Sequence, residues 1–202
     1  MTVCTAYKTW LSYLLTMPLF WAAINDQAVA SLENTDYYKM PEYPKICSAA
    51  TILVRMVDGL GFRYRWGTEG LREGDYMFRP SPDSRSMKEL LEHILHLVRM
   101  IDYGLGGDRP GEEEDRPPQD TRALTLRQLW IIHRRLLNMS QAQLQGCRYH
   151  SDNYDRDFPI WNIINGPLCD ALTHVGQVTS WRRLNGNPVR EADVFLGIPP
   201  KP

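Results

Sequence analysis

Hydrophobic residues recur at helical spacing in four stretches of this chain, and turn-rich sequence separates the stretches. The first stretch runs from about Ser48 to Leu71. Its apolar face is formed by Leu53, Met56, Val57, Leu60 and Tyr64. The second stretch opens at Ser86, which forms the capping-box pattern S-x-x-E with Glu89, and it continues to about Leu105. The pattern therefore predicts two amphipathic helices in the first half of the chain.

Two further helices are predicted after a polar, proline-rich loop over residues 106–120. Thr125 and Gln128 form another capping box, which places the start of the third helix there. The fourth helix includes Pro167 to Leu184 and is expected to end at the Asn-Gly-Asn-Pro sequence of residues 185–188. No convincing alternating strand pattern lies between these helices. Four amphipathic helices predict an all-α fold, a four-helix bundle whose inward side chains can build a metal or ligand site.

Asp170 and His174 are the most informative pair in the sequence. They lie four residues apart and therefore on one face of the fourth helix, with Pro167, Val178 and Trp181 within about 60° of His174. A carboxylate on a core-facing stripe is destabilising unless it is paired, hydrogen-bonded or bound to a metal. We therefore expect Asp170 to be buried and to have a partner.

Three histidines on the second and third helices are candidates for that partner. His93 lies at the flank of its apolar stripe, close to Leu90 and Leu97, from where it can reach a neighbouring helix. His96 falls among charged residues on the opposite face, so we interpret it as a solvated surface histidine. His133 lies at the centre of the third apolar stripe. It is either a fourth ligand, a residue that hydrogen-bonds a ligand, or a core histidine bonded to a buried hydroxyl, and we favour the last two.

Other side chains of this region have narrower expected roles. Gln177 shares the face of His174 and is a candidate to orient a ligand or a water molecule. Arg182 and Arg183 are expected to complement the dipole at the end of their own helix. Trp161 and Trp181 are large apolar groups that we expect to pack in the core.

Composition narrows the class of protein. The chain has 202 residues, of which 43% are hydrophobic, which suits one well-buried domain better than two. The formal net charge is −1, and the 23 basic residues are scattered. Nucleic acid is therefore not an expected partner. A small-molecule substrate is a candidate partner.

Residues 1–30 have the layout of a secretory signal peptide. Lys8 precedes an apolar run from Trp10 to Ala23 that is too short to span a bilayer, and small residues follow at 28–31. The alternative is an N-terminal core helix. We predict an exported protein, periplasmic or secreted, whose residues 31–202 form one domain with no membrane span. If the leader is not a signal peptide, the protein is expected to be cytoplasmic.

Which cysteines remain in the mature protein depends on whether residues 1–30 are removed as a signal peptide. Once a leader is removed, Cys47, Cys147 and Cys169 remain, and three cysteines cannot all pair. Cys47 and Cys147 are one candidate bridge in an oxidising compartment. The alternative that we favour is three small buried hydrophobic residues.

Several segments together resemble the DinB-like superfamily over about residues 49–197. They are RPSPDSRS at 79–86, ELLEHI at 89–94, FPIWN at 158–162 and D-x-x-x-HVGQ at 170–177. The resemblance implies an antiparallel four-helix bundle with a divalent metal bound by one histidine of the second helix and two of the fourth. His93 and His174 match two of these positions, and Asp170 occupies the third in place of the commoner histidine. Such a donor set suits Zn²⁺, Fe²⁺, Mn²⁺ or Ni²⁺ and leaves positions open for water or substrate.

The resemblance also implies two classes of reaction. Many relatives resemble thiol-dependent transferases or isomerases, in which a metal lowers the pKa of a small cytosolic thiol so that it attacks an electrophile. An exported protein would not meet that thiol pool, which favours metal-assisted hydrolysis. A third hypothesis is a non-catalytic binding or stability module with a buried, hydrogen-bonded Asp/His network. A homodimer is expected, since such bundles often pair through a helical face.

Overall fold

The computed structural model describes residues 37–111 and 115–201, and this part of the chain is mostly helical with one small sheet. The predicted signal peptide, residues 1–30, lies outside the described residues. None of the described helices is long and apolar enough to cross a membrane.

The first long helices begin at capping boxes. The helices of this half are α1 (Ala49–Thr68), the single turn α2 (Glu73–Tyr76) and α3 (Met87–Gly104). At the start of α1, Thr51 Oγ1 accepts a hydrogen bond from the Ser48 backbone at 2.7 Å. At the start of α3, Glu89 Oε2 accepts one from the Ser86 backbone at 2.6 Å, and Ser86 Oγ accepts one from the Glu89 backbone at 3.3 Å. The predicted capping box at Ser86 is confirmed.

The second half is more varied than predicted. Its elements are α4 (Pro118–Leu137), α5 (Gln141–Gly146), β1 (Arg148–Ser151), β2 (Arg156–Pro159), α6 (Ile160–Ile163), a π-helical segment (Ile164–Leu168) and α7 (Cys169–Leu184). The predicted start of the third helix at Thr125 is wrong. α4 begins at Pro118, because proline's missing N–H is no loss in a first helical turn. Thr125 is buried inside α4 and donates its hydroxyl hydrogen to the Thr121 carbonyl at 2.7 Å.

A β-hairpin forms where the sequence suggested irregular structure. Strands β1 and β2 pair antiparallel, with Tyr149 opposite Phe158 and Ser151 opposite Arg156. Asp155 in the connecting turn has a φ of 46°, a left-handed conformation that aspartate tolerates better than most residues. Each strand has four residues, so the alternation of polar and apolar positions is too short to recognise in the sequence.

The four long helices share one hydrophobic core. Helix α1 packs against α4 and α7, and α3 packs against the same two helices. Each helix contributes fully buried side chains, including Leu60, Ile94, Leu129 and Val178. The prediction that Trp161 lies in the core is wrong, because its side chain is 71% exposed on the single turn α6. Trp181 is half-buried and packs against the core as expected.

A kink separates α6 from α7. Gly166 has φ −90° and ψ −108°, outside the helical region, and Pro167 has no N–H to donate. The chain therefore forms a π-helical turn at residues 164–168 instead of a continuous α-helix. Such turns often occur at functional sites. Here the turn sets the start of α7 one residue before Asp170.

Arg182 joins the end of α7 to the end of α1. Its Nη1 donates hydrogen bonds to the carbonyl oxygens of Gly67 at 2.9 Å and Glu69 at 2.6 Å, and its Nε donates to the Asn187 carbonyl at 2.9 Å. Arg182 lies in the last turn of α7, the position from which it was predicted to complement the dipole of its own helix, and its guanidinium also reaches the end of α1. The buried guanidinium satisfies carbonyls at the C-terminal end of α1 and holds the two helices together.

The three described cysteines are free. The candidate bridge between Cys47 and Cys147 does not form. Cys47 and Cys169 are exposed, so the prediction of buried cysteines is wrong for both. Cys147 is half-buried, and burial raises the pKa of its thiol.

Candidate metal centre

Helices α3 and α7 bring His93, Asp170 and His174 together. His174 Nε2 lies 3.3 Å from Asp170 Oδ1, and His93 Nε2 lies 3.7 Å from Asp170 Oδ2. The two imidazole rings meet edge to face, with centroids 4.7 Å apart. One ligand atom from each residue lies within 4.8 Å of the other two. These are the three residues that the sequence selected.

The spacing of these atoms suits a shared metal ion. Zinc bonds to nitrogen or oxygen are about 2.0–2.2 Å long, so two ligand atoms of a tetrahedral site lie about 3.4 Å apart. The separations of 3.3 and 3.7 Å to the Asp170 oxygens lie near that value. Both are longer than a good hydrogen bond to a carboxylate, which is about 2.7–2.9 Å. Two imidazoles and one carboxylate can hold a divalent ion once their ligand atoms, which lie within 4.8 Å of one another, close toward that spacing.

Gln177 orients one of the imidazoles. His174 Nδ1 lies 2.8 Å from Gln177 Oε1, one turn further along α7, and donates its hydrogen to that amide oxygen. With the hydrogen on Nδ1, Nε2 keeps its lone pair and faces Asp170. A hydrogen bond to the ring nitrogen opposite the ligating one is the usual support for a metal-bound histidine. Gln177 thus lies where the sequence placed it.

The surroundings of His93 favour its neutral form. Burial lowers the pKa of His93, and the nearby Arg85 and His174 lower it further, whereas Asp170 acts in the opposite direction. The neutral imidazole has the lone pair that a metal ligand needs. The environment of His93 therefore favours ligation over an ion pair with Asp170.

Asp170 differs from the prediction in its burial. Its side chain is 47% exposed, compared with 25% for His93 and 12% for His174. The helical wheel gives the direction of a side chain, but it does not show whether another element covers that turn of the helix. The cost of burying a carboxylate is therefore not what identifies this site. Its position at the surface instead leaves one side of the three ligands open to solvent.

The other two histidines lie outside the cluster. His133 is a core residue, as one of the favoured alternatives proposed, but its partner is a carboxylate and not a hydroxyl. Its Nδ1 lies 2.6 Å from Asp58 Oδ1, and its ring stacks on Trp130 with centroids 4.7 Å apart. His96 is half-buried and not simply solvated, and it lines a cavity beside the hairpin.

Asp58 is a buried polar residue that sequence reasoning missed. It is fully buried on α1, and its Oδ2 has no hydrogen-bond partner. Val54 and Phe62, one turn before and one turn after it, are also fully buried. Asp58 lies about 140° around the helix from Leu53, away from the apolar face that the sequence predicts for α1, so the stripe argument that singled out Asp170 does not find it.

No family model matches this chain, and neither a curated protein nor a solved structure matches it.

Proposed function

We propose that this chain is a DinB-like metalloprotein that binds a divalent ion, Zn²⁺, Ni²⁺, Fe²⁺ or Mn²⁺, through His93, Asp170 and His174. We propose further that it is a metal-dependent enzyme of the hydrolase or thiol-dependent transferase class. The observation that carries the proposal is the convergence of three ligand atoms from two helices within 4.8 Å.

The helix packing supports the finer fold proposal, an antiparallel four-helix bundle. Helices α1 and α3 each pack against both α4 and α7, which is the arrangement of neighbours in a closed four-helix bundle. Metal sites of such bundles are formed by side chains on facing helices. His93 on α3 and the Asp170–His174 pair on α7 have that arrangement.

The donor set leaves room for substrate. Three protein ligands leave at least one coordination position open, as in catalytic and not structural zinc sites. A divalent ion bound there would acidify a coordinated water or thiol, which is the chemistry that both reaction classes need. The chain's own residues contribute orientation and access. Gln177 fixes the His174 ring, and Asp170 lies at the exposed edge of the cluster.

A second candidate is a non-catalytic module in which the same residues form a polar network without an ion. The hydrogen bond from His174 Nδ1 to Gln177 Oε1, at 2.8 Å, favours it, because this bond needs no ion. In that case the Asp170→Asn variant should be tolerated, since an amide oxygen can accept a hydrogen bond almost as a carboxylate does. Metal removal should then leave the melting temperature unchanged.

Metal content and chelation decide between the two candidates. Purified full-length protein should contain about one equivalent of divalent metal by elemental analysis. When the free metal concentration is about 100 times the dissociation constant of the site, the bound ion stabilises the fold by about 2.7 kcal/mol. Chelation should then lower the melting temperature by about 5–10 °C. His174→Gln and Asp170→Asn should abolish this shift, whereas His150→Gln, an exposed histidine of β1, should retain it.

The opposite result would reject the metal site. A metal-free preparation that takes up no Zn²⁺, Ni²⁺, Fe²⁺ or Mn²⁺ in calorimetric titration contradicts the proposal, and an unshifted melting temperature then supports the polar network. The reaction class is tested on loaded protein with p-nitrophenyl esters for hydrolysis and with a small thiol plus 1-chloro-2,4-dinitrobenzene for transfer. Activity in either assay should disappear in His174→Gln and persist in His150→Gln.

Export and dimerisation remain predictions. N-terminal sequencing of the protein recovered from a secreting host should show cleavage near residue 30 if the leader is a signal peptide. Light scattering of the purified protein should give twice the mass of one chain if it is a homodimer.

A further inference from the structure

A cavity of about 480 Å³ lies between α3 and the β-hairpin. Its walls include His96 and Met100 of α3, Tyr149 of β1, Phe158 of β2 and Pro167 of the π-helical segment. Pockets for small ligands commonly have volumes of about 300–1,000 Å³. The cavity therefore has room for a small molecule.

The cavity continues toward the His/Asp/His cluster. A second, more open cavity is lined by Asp170 together with Leu97 and Cys169, and it shares Met100 and Pro167 with the first. On α3, Met100 follows His93 by seven residues, which is about 10 Å along a helix. The two cavities therefore adjoin at Met100 and Pro167, and together they are called the hairpin groove.

The hairpin end of the groove combines aromatic rings with one cation. Arg156 lies over the Phe158 ring at 4.5 Å from its centroid and over the Tyr154 ring at 6.0 Å. The Arg156 side chain is exposed, and a guanidinium can offer two parallel N–H groups to a carboxylate in bidentate fashion. Among the residues that the structure describes, no acidic side chain lines this cavity. The charge of Arg156 is therefore available to a ligand.

We propose that this groove is the substrate pocket and that it takes a small carboxylic acid with an aromatic body. The carboxylate binds Arg156, the aromatic body lies among Tyr149, Tyr154 and Phe158, and the other end of the molecule points toward Asp170. The assignment of this ligand as substrate depends on the proposed metal-dependent function. Its binding at Arg156 does not.

The test uses 2-naphthoate and its neutral counterpart 2-naphthamide as probes of the full-length protein, with binding measured by calorimetry. Naphthoate should bind more tightly than naphthamide. Arg156→Gln should weaken naphthoate binding by about ten- to a hundredfold, the range of a hydrogen bond to a charged group, and change naphthamide binding by less than about twofold. Arg127→Gln, an exposed arginine of α4 outside the cavity, should leave both affinities unchanged.

The outcomes separate this inference from the metal site. If naphthoate does not bind, or binds Arg156→Gln and Arg127→Gln equally well, the carboxylate pocket is refuted, even where the protein holds a metal. If His174→Gln loses metal while naphthoate binding persists, the pocket is supported without reference to the ion. If no metal binds but naphthoate does, the proposed enzyme fails and the anion pocket stands.

Discussion

The buried pair of His133 and Asp58 should contribute far more to stability than a similar pair on the surface. The Asp58 side chain is fully buried, and its Oδ1 lies 2.6 Å from His133 Nδ1. Its other oxygen is buried without a hydrogen bond, and Arg55 Nη1 is 4.0 Å from it. Replacing His133 with leucine keeps an apolar group of similar size but leaves the carboxylate without its hydrogen bond.

The size of the stability loss expected for His133→Leu follows from the burial of its partner Asp58. Leaving a buried polar group without its hydrogen-bond partner costs about 1–3 kcal/mol, and more where the group is charged. For a domain of this size, 1 kcal/mol lowers the melting temperature by about 2–4 °C, so His133→Leu should lower it by about 2–12 °C. The matched control is His150→Leu, because His150 Nδ1 lies 2.9 Å from Asp157 Oδ1, a similar distance, on the exposed hairpin. An exposed pair contributes about 0–1 kcal/mol.

Urea unfolding followed by circular dichroism measures both variants on the same full-length protein. Adding Asp58→Asn to His133→Leu should recover part of the lost stability, because a buried amide without a hydrogen-bond partner costs less than a buried carboxylate without one. Equal losses for His133→Leu and His150→Leu would refute the argument from burial. A double variant that is no more stable than His133→Leu would show that the lower stability comes from the lost packing of the His133 ring on Trp130, and not from the unsatisfied carboxyl group of Asp58.

Three further predictions test stability elsewhere in the fold. Burial alone would raise the pKa of Asp75, but hydrogen bonds from Arg72, Asn187 and Asn185 outweigh it and hold the pKa well below its usual range. A carboxyl group whose pKa is lower in the folded than in the unfolded chain stabilises the fold above about pH 4, and this stabilisation is lost as the pH falls. Asp75→Asn should therefore lower the free energy of unfolding by about 3 kcal/mol at pH 7 and by less at pH 3, as measured by urea unfolding. In thermal melts, Gly104→Ala should lose about 1–3 kcal/mol, because the added Cβ would lie 2.9 Å from Cγ1 of Ile163. Gly176→Ala, in open space within α7, should gain about 0.5–1 kcal/mol.

Local sequence determined the helices that carry the candidate site. The capping box at Ser86 and Glu89 involves residues three apart, and α3 begins there as predicted. The spacing of Asp170, His174 and Gln177 along one helix likewise places them on one face regardless of the rest of the fold. The hydrogen bond between His174 and Gln177 is an interaction of this local kind.

Local reasoning failed at the start of one helix and at the hairpin. The start of α4 was misplaced because Thr125 and Gln128 match a capping pattern, yet the chain is already helical from Pro118. A pattern of two residues cannot show whether the preceding turn is also helical. The short hairpin was missed for a related reason, since strands of four residues contain too few alternations to be recognised.

Tertiary structure alone decided which polar residues are buried. Asp170 was expected in the core and is exposed, whereas Asp58 was overlooked and is fully buried with His133 as its partner. Arg182 lies in the last turn of its own helix as expected, but its bonds to the carbonyls of Gly67 and Glu69 at the end of α1 were not predicted. The sequence by itself determined which side chains share a helix face, because helix geometry is local. Which face is covered, and which distant group meets it, depends on how the helices pack, and only the fold contains that information.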